Sequence, residues 1–90
     1  MHFEWNSNKA QKNLHKHGAS FDEASGVFYD ALAVTGDDPD HSENERRMVT
    51  FGKSKNNQLL VVTHTERNNA IRIISARPAT KHEWRIYEEG

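Results

Sequence analysis

The sequence contains no cysteine, which excludes a disulfide framework, a thiolate zinc site and a cysteine nucleophile. No apolar run approaches the roughly 20 residues needed to cross a bilayer. The first residues, "MHFEWNSNKAQ", lack the basic-then-apolar form of a signal peptide, so a soluble, cytosolic chain is expected. The five glycines are scattered, with no phosphate-cradling loop and no Gly-x-Ser-x-Gly elbow, which sets aside nucleotide-cofactor and serine-hydrolase chemistry. Ninety residues, 34% of them hydrophobic, bury enough surface for one core and too little for two. Residues 1–90 are read as one domain.

Charge is present in both signs but is unevenly placed. Residues 20–45 carry eight acidic side chains and no Lys or Arg, whereas residues 46–87 carry nine Lys or Arg against Glu66 and Glu83. The net charge of −1 therefore hides two opposed halves. Such polarity suits a polyanion site in the basic half and a basic protein partner for the acidic half; the alternative is that the halves pair with each other. Lys9, Lys12 and Lys16 add a stripe at helical spacing, read either as a solvated face or as a phosphate-contacting one.

The local signals give an element order. "FEW" at 3–5 starts as a strand, Asn6 or Asn8 caps a helix with Ala10, Leu14 and His17 on one face, and Gly18 ends it. "SFDE" at 20–23 is a capping box for a second helix running to about Tyr29. A strand over 31–35 follows, then a break at Gly36 and Pro39. "RRMVTFGKS", "LLVVTHTE" and "IRIISA", separated by turns at "KNNQ" and "RNNA", make a meander whose second strand is apolar enough to be central. "TKHE" at 80–83 caps a last helix carrying Trp84 and Tyr87 on one side. The expected class is α+β, a small, mainly antiparallel sheet with two N-terminal helices and one C-terminal helix, in the order β-α-α-β-β-β-β-α.

The densest polar stretch, "DDPDHSENERR" from Asp37 to Arg47, invites a metal reading. It lacks the glycine and closing glutamate of a calcium loop, and His41 has no helical histidine partner for zinc. No metal is expected. An acid-base reading asks for more: metal-free RNA cleavage needs a base for the 2′-hydroxyl, an acid for the leaving oxygen and cations for the phosphorane charge. The residues able to fill those roles are Glu43, Glu45, Arg47, Lys53, His64, Arg67, Arg72, Arg77, Glu83 and Tyr87. Alternation puts Arg47 and Lys53 on one face of their strand and sets Arg72 opposite Arg77 on the last one. For any single Arg or Glu the competing reading is a surface ion pair, and for His64 a buried imidazole.

Four stretches, "FEWNSNKAQKNLHKHGASFDEA", "DPDHSENERR", "LLVVTHTER" and "RIISARPATKHEWRIYEEG", together resemble the BrnT family of type II toxin-antitoxin ribonuclease toxins. The resemblance implies a RelE-like fold, RNA cleavage that halts translation, no metal or organic cofactor, and neutralisation by a BrnA-type antitoxin. That antitoxin would carry a ribbon-helix-helix DNA-binding element, giving a hetero-oligomer that meets DNA only through the antitoxin. By position, the family's functional residues fall on His41, Ser42, Glu43, Glu45, Arg47, Arg72, Arg77, Glu83 and Tyr87. On this basis Arg47, Arg72 and Arg77 are expected to hold the phosphate and Glu45, Glu83 or His64 to move protons. Lys53, Arg67 and Tyr87 would contact the RNA. Arg46, Pro78 and Trp84 depart from the family's usual pattern.

Overall fold

Asn6 opens the first helix: its side-chain oxygen accepts the Lys9 backbone N–H at 3.0 Å, and α1 (Ser7–His17) then runs to Gly18, whose φ of 72° closes it in the left-handed conformation that glycine adopts without strain. In this computed structural model residues 1–38 and 45–90 are described; the expectations for His41, Ser42 and Glu43 lie outside the described residues. The short strand β1 (Phe3–Glu4) precedes α1, and α2 (Phe21–Ser25) follows it, continued by a 3₁₀ turn over Gly26–Tyr29. Strands β2 (Val34–Asp37), β3 (Met48–Lys53), β4 (Leu59–Arg67) and β5 (Ala70–Pro78) lead to α3 (Lys81–Glu89). This is the expected order. Among the described residues no helix is long and apolar enough to cross a membrane.

The sheet order is β1-β5-β4-β3-β2, with β1 parallel to β5 and the other pairs antiparallel, so the sheet is mixed. The central place of β4 follows from its buried run Leu59, Leu60, Val61 and Val62, apolar on both faces. Asn68 and Asn69, at φ 52° and 64°, make the two-residue β4–β5 turn in the conformation asparagine tolerates best after glycine. Leu60, Val62, Ile73 and Ala76 face the helix layer and join Phe21, Ala24 and Val27 in the core. Gly52 lets the 3₁₀ turn settle onto β3, since a Cβ there would lie 2.6 Å from Val27 Cγ1.

Several local expectations change. The Ser20 hydroxyl accepts the Glu23 N–H, but the Glu23 carboxylate, instead of reaching back, accepts a 2.7 Å hydrogen bond from Ser54 and ties α2 to the β3–β4 turn. Leu14 is exposed; the buried position of α1 is Asn13, beside half-buried Ala10 and His17. The second strand starts at Val34 because Asp30 Oδ1 accepts the Leu32 N–H and bends the chain first.

Two features bring basic residues together. The Asn13 amide spans the outer edge of β5, donating to Ala76 O at 2.8 Å and accepting from Ala76 N at 3.2 Å, and it also donates to Ala19 O. A side chain thus completes the ladder where β1 stops, and α1 is held along that edge. In β5 the pairing passes from Thr63↔Ser75 to His64↔Ile73, so Ile74 is an extra residue, a β-bulge. The bulge reverses the parity of β5. Arg72 pairs with Thr65 and Arg77 with Val61, two odd-numbered positions of β4, so both arginines share the sheet face turned away from the core helices. The expectation that they point to opposite faces is corrected by that single inserted residue.

Candidate functional site

Beyond the ladder, Asp38 N donates to Arg47 O at 2.9 Å, which carries the β2–β3 pairing one step further and sets Arg47 at the head of β3. Arg47, Arg67 and Arg72 then line a cleft of about 150 Å³ together with Glu45, Asn6, Lys9 and the Ile73–Ile74 step of the bulge. The Glu45 carboxylate lies 3.8 Å from Arg47 Nε and 3.5 Å from Arg67 Nη2. These separations exceed ordinary hydrogen bonds, so charge, not a forked clamp, holds it. Glu4, beside Arg72 in the β1–β5 register, approaches its Nη1 at 3.7 Å. Among the described residues, four cations face Glu45 and Glu4 here.

The other carboxylate expected to act in proton transfer is differently placed. Glu83 takes two hydrogen bonds from the Arg77 guanidinium, at 2.7 and 2.8 Å, and a third from Thr80 N, closing the capping box of α3. The Arg77 pairing, opposed by burial and assisted by Thr80, brings its carboxyl down to about 2, and the same hydrogen bond raises Arg77. With both oxygens committed, Glu83 anchors a helix end and is a poor base. Arg77 is four residues along β4 from the cleft by register, about 13 Å at the usual strand rise.

Lys53 and Tyr87 belong to a third cluster. The Tyr87 hydroxyl donates to Asp30 Oδ2 at 2.7 Å, and Lys53 N donates to the same oxygen at 2.8 Å. Burial pushes Asp30 up, but the hydrogen bonds from Lys53 N, Tyr87 and Leu32 N outweigh it and hold the carboxyl below its ordinary value. Donating to that carboxylate pushes Tyr87 up to about 12, so the phenol stays protonated. The Lys53 ammonium sits 5.4 Å from the Trp84 ring centre and 5.9 Å from that of Tyr87. Lys53 is six residues along β3 from Arg47, roughly 20 Å at the usual strand rise.

His64 is in none of these clusters. It lies on the helix-facing side of β4, 4% exposed, edge-on to Phe28 at 4.7 Å, with Nε2 bonded to Thr50 Oγ1 at 2.7 Å and Thr50 in turn to Thr35. Burial lowers its pKa to about 4, so the ring is neutral at pH 7. The geometry gives it a packing role. Its folded pKa is below the unfolded value of about 6.5, so its contribution to stability is complete above pH 6.5 and is lost as pH falls toward 4. Urea unfolding is expected to show a slope of about 1 kcal/mol per pH unit from this group between pH 6 and 5. His64→Gln should flatten the profile there; an unchanged slope would refute the assignment.

The structure therefore brings together Glu45, Arg47, Arg67 and Arg72, and leaves His64, Lys53, Arg77, Glu83 and Tyr87 elsewhere. Lys9 and Asn6 complete the cleft without having been assigned to it from sequence; the available signal was a lysine stripe on a helix lacking any acid. The opposed charge halves do meet, at Arg46–Asp37 and Arg67–Glu45. Among the described residues, no three His, Asp or Glu side chains gather so as to hold a metal ion.

A cationic cleft with one loosely held carboxylate, on a small α+β scaffold, marks a protein suited to a polyanionic ligand. The family model for the ribonuclease toxin BrnT of type II toxin-antitoxin systems matches residues 5–83, and the chain belongs to that family. No curated protein sequence matches it. Among solved structures, the chain is similar to the 1.1 Å crystal structure of the Brucella abortus ribonuclease toxin, BrnT. The TM-score is 0.65 at 21% identity, covering 90% of this chain and 99% of that one, a likeness of fold.

Proposed function

We propose that this chain is a cytoplasmic endoribonuclease on a RelE-like scaffold that cleaves RNA without a metal, and by doing so halts translation. A BrnA-type antitoxin with a ribbon-helix-helix DNA-binding element would neutralise it in a hetero-oligomer. Membership of the ribonuclease toxin family supports the activity. The observation that carries the site is Glu45 between Arg47 and Arg67 and beside Arg72. A carboxylate among guanidiniums supplies a base next to a phosphate-binding set.

In this reading Arg72, Arg67 and Arg47 grip the non-bridging oxygens of the scissile phosphate. Glu45 takes the proton of the 2′-hydroxyl, the 2′-oxygen bonds to phosphorus, and the bond from phosphorus to the 5′-oxygen breaks. The Lys9 ammonium gives a proton to that leaving oxygen. The products are a 2′,3′-cyclic phosphate and a free 5′-hydroxyl, and proton exchange with water resets both groups.

Incubation of purified protein with RNA in excess EDTA tests this. Discrete fragments bearing those two ends are expected, whereas intact RNA in a retarded band would replace the nuclease by a binding module. Expression with and without the neighbouring open reading frame tests the antitoxin, growth arrest being expected only without it.

A further inference from the structure

We infer that Lys12 and Lys16 extend the cleft into a track for the sugar-phosphate backbone of single-stranded RNA flanking the cut site. The inference rests on placing RNA in the Glu45–Arg72 cleft. A groove of about 260 Å³ runs between α1 and β5, and Lys9, Lys12 and Lys16 line it with Ile74 and Ser75. Lys9 and Ile74 also line the cleft, so groove and cleft are continuous. The track exists because of the two features already described. Asn13, in the same groove, clamps α1 to Ala76, and the bulge turns Ile74 outward beside it.

The charges decide against an ordinary solvated face. Glu or Asp three or four residues from a lysine would stabilise a solvent-facing helix, but α1 contains no acidic residue. Among the described residues none of the three lysines has a carboxylate within ion-pair distance. At about 1.5 Å per residue, Lys9 to Lys16 covers about 10 Å, enough to follow a strand past a single phosphate. Cations in a row along a groove repel one another, and a polyanion laid along them relieves that repulsion while releasing its own counterions.

The test measures binding to a 2′-O-methyl RNA of about 15 nucleotides, a length near the upper range of single-strand sites. Methylation removes the nucleophile, so the reading is independent of cleavage: Glu45→Gln could leave cleavage intact and sink the proposed mechanism without touching this measurement. For a single strand each lost phosphate contact lowers the salt slope of log K by about 0.7. Lys12→Gln/Lys16→Gln is therefore expected to lower the slope by about 1.4 and to weaken binding roughly tenfold at low salt. Lys12→Arg/Lys16→Arg should preserve both, and a trinucleotide should bind wild type and the Gln variant alike. Equal slopes and affinities for wild type and the Gln variant on the long RNA would overturn the inference. So would a wild-type protein that does not bind it, or a loss seen only in antitoxin binding.

Discussion

Glu45→Gln is expected to slow single-turnover RNA cleavage about 10³-fold, the range for removing a general base, while changing the Kd for 2′-O-methyl RNA by only a few-fold. Glutamine keeps the shape and loses the proton acceptor. It also removes a negative charge from between Arg47 and Arg67, which favours phosphate binding and pushes the two readouts apart. Arg72→Ala should cost about 10²- to 10³-fold in rate, as expected for a cation stabilising charge in the transition state. Arg77→Ala should act mainly on stability, because its guanidinium is committed to the carboxylate that caps α3. Rates for Arg77→Ala as low as those for Arg72→Ala would show that the reacting phosphate lies toward α3 and that the cleft is not the centre. Wild-type rates for Glu45→Gln would eliminate the base.

Asn13→Ala should destabilise the fold by about 3 kcal/mol, with a Tm drop on the order of 15 °C. The cost comes from what remains after truncation: the Ala76 N–H, the Ala76 carbonyl and the Ala19 carbonyl all lose their partner at a site where Asn13 is itself 8% exposed. Each orphaned buried group costs about 1–3 kcal/mol, and water reaching the vacated edge offsets part of the total. Urea unfolding gives the stability, and amide exchange at Ala76 locates the damage. A loss below about 0.5 kcal/mol, within the range of an ordinary surface substitution, would mean that α1 is held by its apolar contacts alone. Because the same clamp holds Lys9, Lys12 and Lys16 along β5, the variant should also bind the long RNA more weakly than its folded fraction accounts for.

Much of the fold was readable because its signals are local. Asn6 and Thr80 announce helices through side chains that reach backbone N–H groups three residues on, and Gly18 and the Asn68–Asn69 pair occupy positive φ as their turns require. The unbroken apolar run at Leu59–Val62 pointed to a central strand by composition alone. Of the proposed cleft, Glu45, Arg47, Arg67 and Arg72 were named as candidates from sequence, but so were five residues that the fold places away from it. The difference between the two groups is not chemical. Glu83 and Glu45 are the same side chain; one is fully engaged by Arg77 and Thr80, the other is held only by charge.

The sequence by itself determined the order of the elements, their caps and turns, the separation of charge along the chain and, through its matching stretches, the family. Only the tertiary structure decided which charged residues lie together. His64 alternates with Leu60 and Val62 and so is carried under the helices, while the run of apolar residues on both faces of β4 hides that choice from any reading of the strand alone. Arg72 and Arg77 share a face because β5 has one more residue than β4 between their partners, and α1 joins the cleft because a buried amide completes the β5 edge. A bulge is a property of two strands compared, and a clamp between residues 13 and 76 spans most of the chain. Neither leaves a mark in the local pattern, since the free energy that selects each is paid back only when distant segments meet.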